Sequence, residues 1–291
     1  MSQSAPKILV TAAGGQLGRL VLAELLKSVP ADRIVAGARN PDALKDFAAK
    51  GVTVRAADYT KPASLDAALA GIDRFLLISS NSVGARSAEH RNAIDAAKRA
   101  GVSFIVYTSI LHADTTPIAL ADEHKITEAA LKKSGVPHAL LRNGWYTENY
   151  TGAIQAILAH NAVVGSAGSG RVSGAARADY AAAAAVVLAA STNQAGKVYE
   201  LAGDEAFTMA ELAAEIARQS GKPIVYNDLP EAAYAEILVG AGLPEGFAKV
   251  LAQSSAVTAQ GALFDDSHTL SKLIGRRTTP LKDTVAAALK G

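Results

Sequence analysis

The chain has 291 residues, 49% of them apolar and 19% charged, which suits one large α/β domain, or a main domain with a smaller lobe, and excludes a disordered chain. Its 29 basic and 27 acidic residues leave a net charge of +2, so no basic face is offered to a nucleic-acid partner. The absence of cysteine removes disulfides, thiolate metal sites and cysteine nucleophiles together.

The first 145 residues alternate short apolar runs with helical patterns. Strands are expected at 7–11, 33–38, 52–56, 74–79, 104–108 and 138–142. Between them lie helices at about 17–26, after Pro41, at 64–70 with Ser64 as its cap, at 88–100 and at 121–134. Continuous apolar strands separated by helices imply a parallel sheet covered on both faces. The fold class is therefore α/β, a doubly wound parallel (Rossmann) sheet. After Asn143 the rhythm breaks: 145–176 reads as loop with Gly165, Gly168, Gly170 and Gly174, and a helix opens near Asp179. Strands follow at 197–201 and 224–227, with a helix from the Thr208 cap to Ser220 between them; the remainder is helical with breaks at Pro230, 240–244 and Gly261. We expect residues 1–150, completed by 177–204, to form the nucleotide-binding domain. A smaller, mainly helical lobe comprising 151–176 and 205–291 is expected over the carboxyl edge of the sheet.

No basic stretch followed by a free apolar run occurs in Met1–Lys7, and the alanine tract at 181–190 is half a span at most. A cytoplasmic setting with no membrane partner is the expectation.

The segment Val10-Thr11-Ala12-Ala13-Gly14-Gly15-Gln16-Leu17-Gly18 follows a strand and opens a helix. In that context Gly15 lets the backbone approach a pyrophosphate, Gly18 lets helix and strand pack closely, and the helix N-terminus supplies free N–H donors. Arg39 ends the second strand about twenty residues further on, with no acidic residue from Ile34 to Asn40. It is either a solvated surface residue or the partner of an extra ribose phosphate, which favours NADPH over NADH. The six histidines form no i, i+4 cluster, and Asp265-Asp266 reads as a helix cap, so no metal is expected.

Several blocks make the chain similar to the bacterial type 2 NADPH:quinone oxidoreductases, atypical short-chain dehydrogenases of the NmrA-like kind. They are Gly15-Gln16-Leu17-Gly18, Arg39-Asn40-Pro41, Tyr107-Thr108-Ser109, Ala121-Asp122-Glu123-His124 and especially Leu141-Arg142-Asn143-Gly144-Trp145-Tyr146-Thr147-Glu148-Asn149-Tyr150. The likeness runs on through Arg177-Ala178-Asp179-Tyr180 to Leu270-Ser271-Lys272-Leu273-Ile274-Gly275. It implies hydride transfer from NADPH to a small-molecule quinone without flavin or metal. By position, Ala12, Ala13, Gly14, Gly15, Gln16 and Leu17 would face the pyrophosphate and Arg39 the 2′-phosphate. Ser80, Asn81 and Ser82 would border the sugar, Asn143, Gly144, Trp145, Tyr146, Thr147 and Glu148 the nicotinamide, and Arg177 the rim. Ala12 and Gly14 stand where most relatives have glycine and threonine.

None of the eight tyrosines has a lysine four residues on, so the phenolic proton donor of ketone-reducing relatives is absent. Positioning and hydrogen bonds to the quinone oxygens would then carry the rate. Asn143 is the first candidate donor and His124 the second, unless His124 and Lys125 are ordinary helix residues. Trp145 and Tyr146 can stack on a flat substrate, or Trp145 can anchor the lobe. Asp58 either contacts the adenine or caps its loop. A non-catalytic NADP(H) sensor of the NmrA-like kind and a reductase of dyes or other flat electron-poor molecules are the alternatives, and a homodimer is compatible with each.

Overall fold

Burial of whole apolar runs, not of alternate residues, shapes the sheet. The computed structural model describes residues 6–291, so the reading made on Met1–Ala5 lies outside the described residues. In chain order the elements are β1 (Ile8–Val10), α1 (Gln16–Leu25), β2 (Ile34–Ala38), α2 (Lys45–Ala48), β3 (Thr53–Ala56), α3 (Pro62–Leu69) and β4 (Arg74–Leu77). Next come α4 (Arg86–Arg99), β5 (Phe104–Ile110), α5 (Ala121–Ser134), β6 (His138–Asn143), α6 (Glu148–Thr151), α7 (Ile154–His160), β7 (Ala162–Gly165), α8 (Arg177–Ala189) and β8 (Val198–Leu201). The chain ends in α9 (Met209–Ser220), β9 (Val225–Asp228), α10 (Glu231–Gly240), α11 (Glu245–Ala256), α12 (Thr269–Ile274) and α13 (Leu281–Leu289).

Seven strands form one sheet in the order β3-β2-β1-β4-β5-β6-β8, a doubly wound α/β arrangement. The pairs β1–β2, β1–β4, β2–β3 and β4–β5 are parallel, with Leu9 opposite Val35 on one side and Phe75 on the other. Every residue of β1 and β2 is buried, as a sheet covered on both faces requires. The order reverses direction between β1 and β4, which makes the carboxyl ends of these two strands the switch point where such sheets bind ligands.

The chain forms two compact units. Among the described residues the first comprises 6–110, 123–142 and 177–199; the second comprises 111–122, 143–176 and 200–291. In the first unit α3 and α4 pack together, as do α1 and α8, and α8 lies on β4 and β5. Ala181, Ala183 and Ala184 of α8 are fully buried; such small side chains suit its packing on α1, and the helix is only 13 residues long. Leu9, Val35, Leu65, Leu69, Phe75, Leu77, Ile105, Tyr107 and Leu131 form the core on the α3–α4 side. In the second unit β7 pairs parallel with β9, and α10 packs on α11. Among the described residues no helix is long and apolar enough to cross a membrane.

Two local expectations need correction. The third helix opens at Pro62, not Ser64, because proline suits the first turn and Lys61 takes the cap position. Ser64 instead turns its hydroxyl back to Lys61 O at 2.8 Å. The stretch 145–176 is not all loop: it holds α6, α7 and β7, whose runs of four to seven residues are too short to declare a period. Thr208 does cap α9, through a reciprocal capping box with Glu211.

Candidate functional site

In the first unit, the glycine turn leaves β1 at Thr11 and enters α1 at Gly15. Ala13 N–H donates to Gly37 O at 3.0 Å and Gly15 N–H to Ala12 O at 2.9 Å, which closes the turn. Ala12 holds φ at +49°, a left-handed value that glycine adopts without strain and alanine does not. A Cβ on Gly18 would sit 2.5 Å from Ala12 O and 2.7 Å from Ala13 Cα, so only glycine lets helix and turn come this close. A Cβ on Gly14 would find nothing nearer than Ala38 Cβ at 3.8 Å, so a larger residue would fit there. The first turn of α1 has neither a side-chain cap nor an acidic residue, and Gly14, Gly15 and Gln16 are exposed while Leu17 is buried. The uncapped N–H groups and the positive end of the helix dipole therefore form an open anion cradle. A dinucleotide pyrophosphate fits this backbone.

Arg39 is exposed just beyond β2. Asn40 caps the turn that follows by accepting from Asp42 N–H at 3.1 Å, so the strand ends there and Arg39 stays at its tip. Asp58, at the end of β3, accepts from Thr60 N–H at 2.9 Å and from the Thr60 hydroxyl at 2.7 Å. These bonds, with lesser help from Lys61 and Arg39, hold its carboxyl below the usual range; its side chain is engaged as a loop cap. The hydroxyl of Tyr59 is shared with Thr11 Oγ1 at 2.5 Å and donates to Ile78 O at 2.7 Å, tying the exit of β1 to that of β4.

Beyond β4, Ser80 is buried while Asn81 is exposed and Ser82 half-buried. The Ser80 hydroxyl donates to Glu89 and accepts from Ser82 N–H at 3.1 Å. Its backbone N–H donates to His90 Nε2 at 2.8 Å, and its carbonyl accepts from Arg86 Nε at 2.7 Å. Arg86 also reaches His124 Nε2 at 3.2 Å, and His124 Nδ1 lies 2.7 Å from the Tyr107 hydroxyl. Both ring nitrogens of His124 are thus occupied inside the first unit, and burial, aided by the Arg86 charge, holds its pKa well below the ordinary value. Lys125, next to it, is exposed. Glu128 takes Arg142 in a bidentate pair at 3.0 and 2.8 Å and the Ser109 hydroxyl at 2.5 Å. Arg177, half-buried, opens α8.

In the second unit, the segment after β6 is pinned through its backbone. Asn143 O accepts from Leu111 N–H at 2.9 Å, Gly144 N–H donates to Leu201 O at 2.7 Å and Thr147 N–H to Ala175 O at 3.0 Å. Asn143 is 6% exposed and Thr147 1%, yet Asn143 Oδ1 and Thr147 Oγ1 have no hydrogen-bond partner. Leaving buried polar atoms unpaired is costly unless a ligand completes them, which makes the segment a candidate site for a ligand's polar groups. Trp145, Tyr146 and Glu148 are half-buried beside these atoms in sequence. Asp265 does not cap a helix: it accepts from Ser267 and pairs with His112 Nε2 at 3.2 Å. Among the described residues no group of three or more histidines and carboxylates could hold a metal.

The residues that sequence reading overlooked are Arg86, His90, Tyr107 and Thr127. A signal was present, since Arg86 and His90 fall four apart on the stripe that continues through Ile94 and Ala97, the buried face of α4. Polar residues on an otherwise apolar stripe mark an internal network.

The doubly wound sheet with an uncapped glycine turn at its switch point defines a Rossmann-type nucleotide-binding protein. The NmrA-like family model matches residues 4–287, and the chain belongs to that family. Quinone oxidoreductase 2 of Escherichia coli (strain K12) is 54% identical over 279 residues, spanning 96% of this chain and 97% of the relative. The crystal structure of an NADPH-dependent quinone oxidoreductase from Escherichia coli complexed with NADPH matches with a TM-score of 0.94 at 53% identity, over 97% of this chain and 99% of that one. Triphenylmethane reductase of Citrobacter sp. complexed with NADP(H) gives 0.91 at 38% identity, over 97% and 99%.

Proposed function

We propose that this protein is an NADPH-dependent quinone reductase. The observation that carries the reading is the fit of the uncapped, glycine-lined turn to a dinucleotide in a chain 54% identical to a quinone oxidoreductase. NADPH supplies the hydride when bound. In the first unit, the N–H groups between Gly14 and Leu17 that are left once Ala13 and Gly15 have closed the turn hold the pyrophosphate, Arg39 receives the 2′-phosphate and Asn81 and Ser82 border the sugar. The 2′-phosphate has no carboxylate to repel it between Ile34 and Asn40.

In the second unit, Asn143 and Thr147 present buried unpaired oxygens whose carboxamide and hydroxyl groups orient polar atoms of the ligand. The Asn143 side-chain N–H is the donor to the quinone oxygen on which negative charge develops, a contact worth more in a buried site than in water, while its unpaired Oδ1 accepts from a ligand N–H. Trp145 and Tyr146 offer flat apolar faces to the quinone ring. No dedicated acid is needed, because the product oxygen is a weak base that water protonates. His124, engaged at both nitrogens, acts through the structure that it holds. The reading sets the enzyme in the cytoplasm, where NADPH is regenerated.

The test is loss of NADPH absorbance with a panel of benzoquinones and naphthoquinones. Quinone-dependent oxidation is expected; binding of NADPH without turnover on any member would replace the enzyme with an NADP(H) sensor. A triphenylmethane dye belongs in the same panel, since a relative at 38% identity is a reductase of that class.

A further inference from the structure

The loop that leaves β4 is held by more chemistry than a turn needs. All three polar atoms of Ser80 are engaged, by Arg86, Glu89 and His90, which lie together on one face of α4. His90 is fully buried and makes two directional bonds, accepting at Nε2 from Ser80 N–H and sharing Nδ1 with Thr127 Oγ1 at 2.9 Å. Because Nε2 must accept, Nδ1 carries the proton and donates to Thr127. The Thr127 hydroxyl passes its own hydrogen to Glu123 O at 2.9 Å. Only this tautomer satisfies every contact.

The same logic fixes the second imidazole. Arg86 can only donate, so His124 Nε2 accepts and its Nδ1–H points to the Tyr107 oxygen. Burial lowers the pKa of His90 to about 3, with the Arg86 charge adding to it. The ring is therefore neutral at physiological pH, as an acceptor for a backbone N–H must be. The ring of Tyr59, whose hydroxyl bridges Thr11 and Ile78, stands edge-on to His90 at 6.0 Å. A single network thus reaches the loops on both sides of the switch point. The two residues after Ser80 are the exposed Asn81 and the half-buried Ser82.

We infer that His90 and Arg86 are positioning residues that set the 80–82 loop, and with it the glycine turn, in the geometry that receives NADPH. This rests on the reading that Asn81 and Ser82 border the cofactor. Neither residue touches the ligand; each acts through Ser80.

The test compares His90→Leu, His90→Gln, Thr127→Val and Asn81→Trp by fluorescence titration with NADPH and by steady-state kinetics. His90→Leu leaves the Ser80 N–H without its acceptor and is expected to raise the NADPH dissociation constant about tenfold. KM for NADPH should rise in parallel, while kcat falls by much less. His90→Gln supplies an acceptor and a donor in one side chain and should bring the constant back to within about threefold of wild type. Thr127→Val, which removes the group that fixes the tautomer together with its own bond to Glu123 O, should weaken binding about threefold and is decisive if His90→Leu does not fold. The ¹⁵N shifts of His90 should report a neutral ring protonated at Nδ1.

Equal weakening by His90→Leu and His90→Gln would show a purely structural role and overturn the proposal. So would wild-type affinity in both His90→Leu and Thr127→Val while Asn81→Trp weakens binding, an outcome that leaves the cofactor assignment standing. Wild-type affinity in Asn81→Trp would overturn that assignment, and this proposal with it.

Discussion

Adding one methyl group at Gly18 is the sharpest perturbation of the nucleotide cradle. The new Cβ would lie 2.5 Å from Ala12 O, 2.7 Å from Ala13 Cα and 3.1 Å from Ala12 C. The first of these is about 1 Å short of an ordinary contact. All three neighbours are backbone, so no side chain can swing away; the turn or the helix must move. Overpacking of this kind costs about 1–3 kcal/mol. Ala12 O also accepts the Gly15 N–H that closes the turn, so the displacement falls on the N–H groups that face the pyrophosphate. If the bound state bears that cost, Gly18→Ala raises the NADPH dissociation constant by about 5- to 150-fold. Titration of NADPH fluorescence measures it, with thermal unfolding recorded in parallel. Gly14→Ala is the internal comparison: its Cβ meets nothing closer than 3.8 Å, so its effect should be far smaller. Equal affinities for the two variants would refute the reasoning.

Three further outcomes follow from the same geometry. Arg39→Asp should raise KM for NADPH by at least about tenfold and leave KM for NADH much less affected, since only NADPH loses a phosphate contact; equal effects would remove Arg39 from the 2′-phosphate site. Asn143→Ala should depress kcat by about a hundredfold, the scale of one lost oxyanion donor, and NADPH affinity by less; single-turnover kinetics would show unchanged turnover if Asn143 has no such role. The third concerns pH: His90, held near 3, and His124, held well below its ordinary 6.5, refuse protons that the unfolded chain accepts. Their contribution to stability is complete above pH 6.5 and is lost as the pH falls below it, for His90 down to about 3, by up to about 1.4 kcal/mol per pH unit for each histidine while its folded form stays neutral. Denaturant unfolding between pH 7.5 and 5 measures the slope, which His90→Gln should reduce; an unchanged slope would contradict the buried neutral assignment.

The parallel sheet was legible because β1, β2 and β4 are uninterrupted apolar runs, and the glycine turn because it sits where strand gives way to helix. Thr208 announced α9 as its cap, and the structure adds the reciprocal bonds with Glu211. Elements α6, α7 and β7 were not legible, since each is shorter than the window over which a period can be read. Asn143 stood out as a candidate through its neighbours in sequence, but its unpaired buried oxygen was not readable there. His124 shows the opposite failure. Its place at the start of α5 suggested chemistry, while the partners that occupy both its nitrogens, Arg86 and Tyr107, come from 38 and 17 residues away. One-dimensional spacing carries no record of such contacts.

The central claim is direct hydride transfer from NADPH to a quinone. It is tested most directly by single-turnover reaction of the purified protein with NADPH deuterated at the transferred position and a water-soluble benzoquinone. One hydroquinone is expected per NADPH consumed, formed with a primary isotope effect and with no flavin added. Formation of hydroquinone only after flavin is supplied, or NADPH bound and never oxidised, would contradict it.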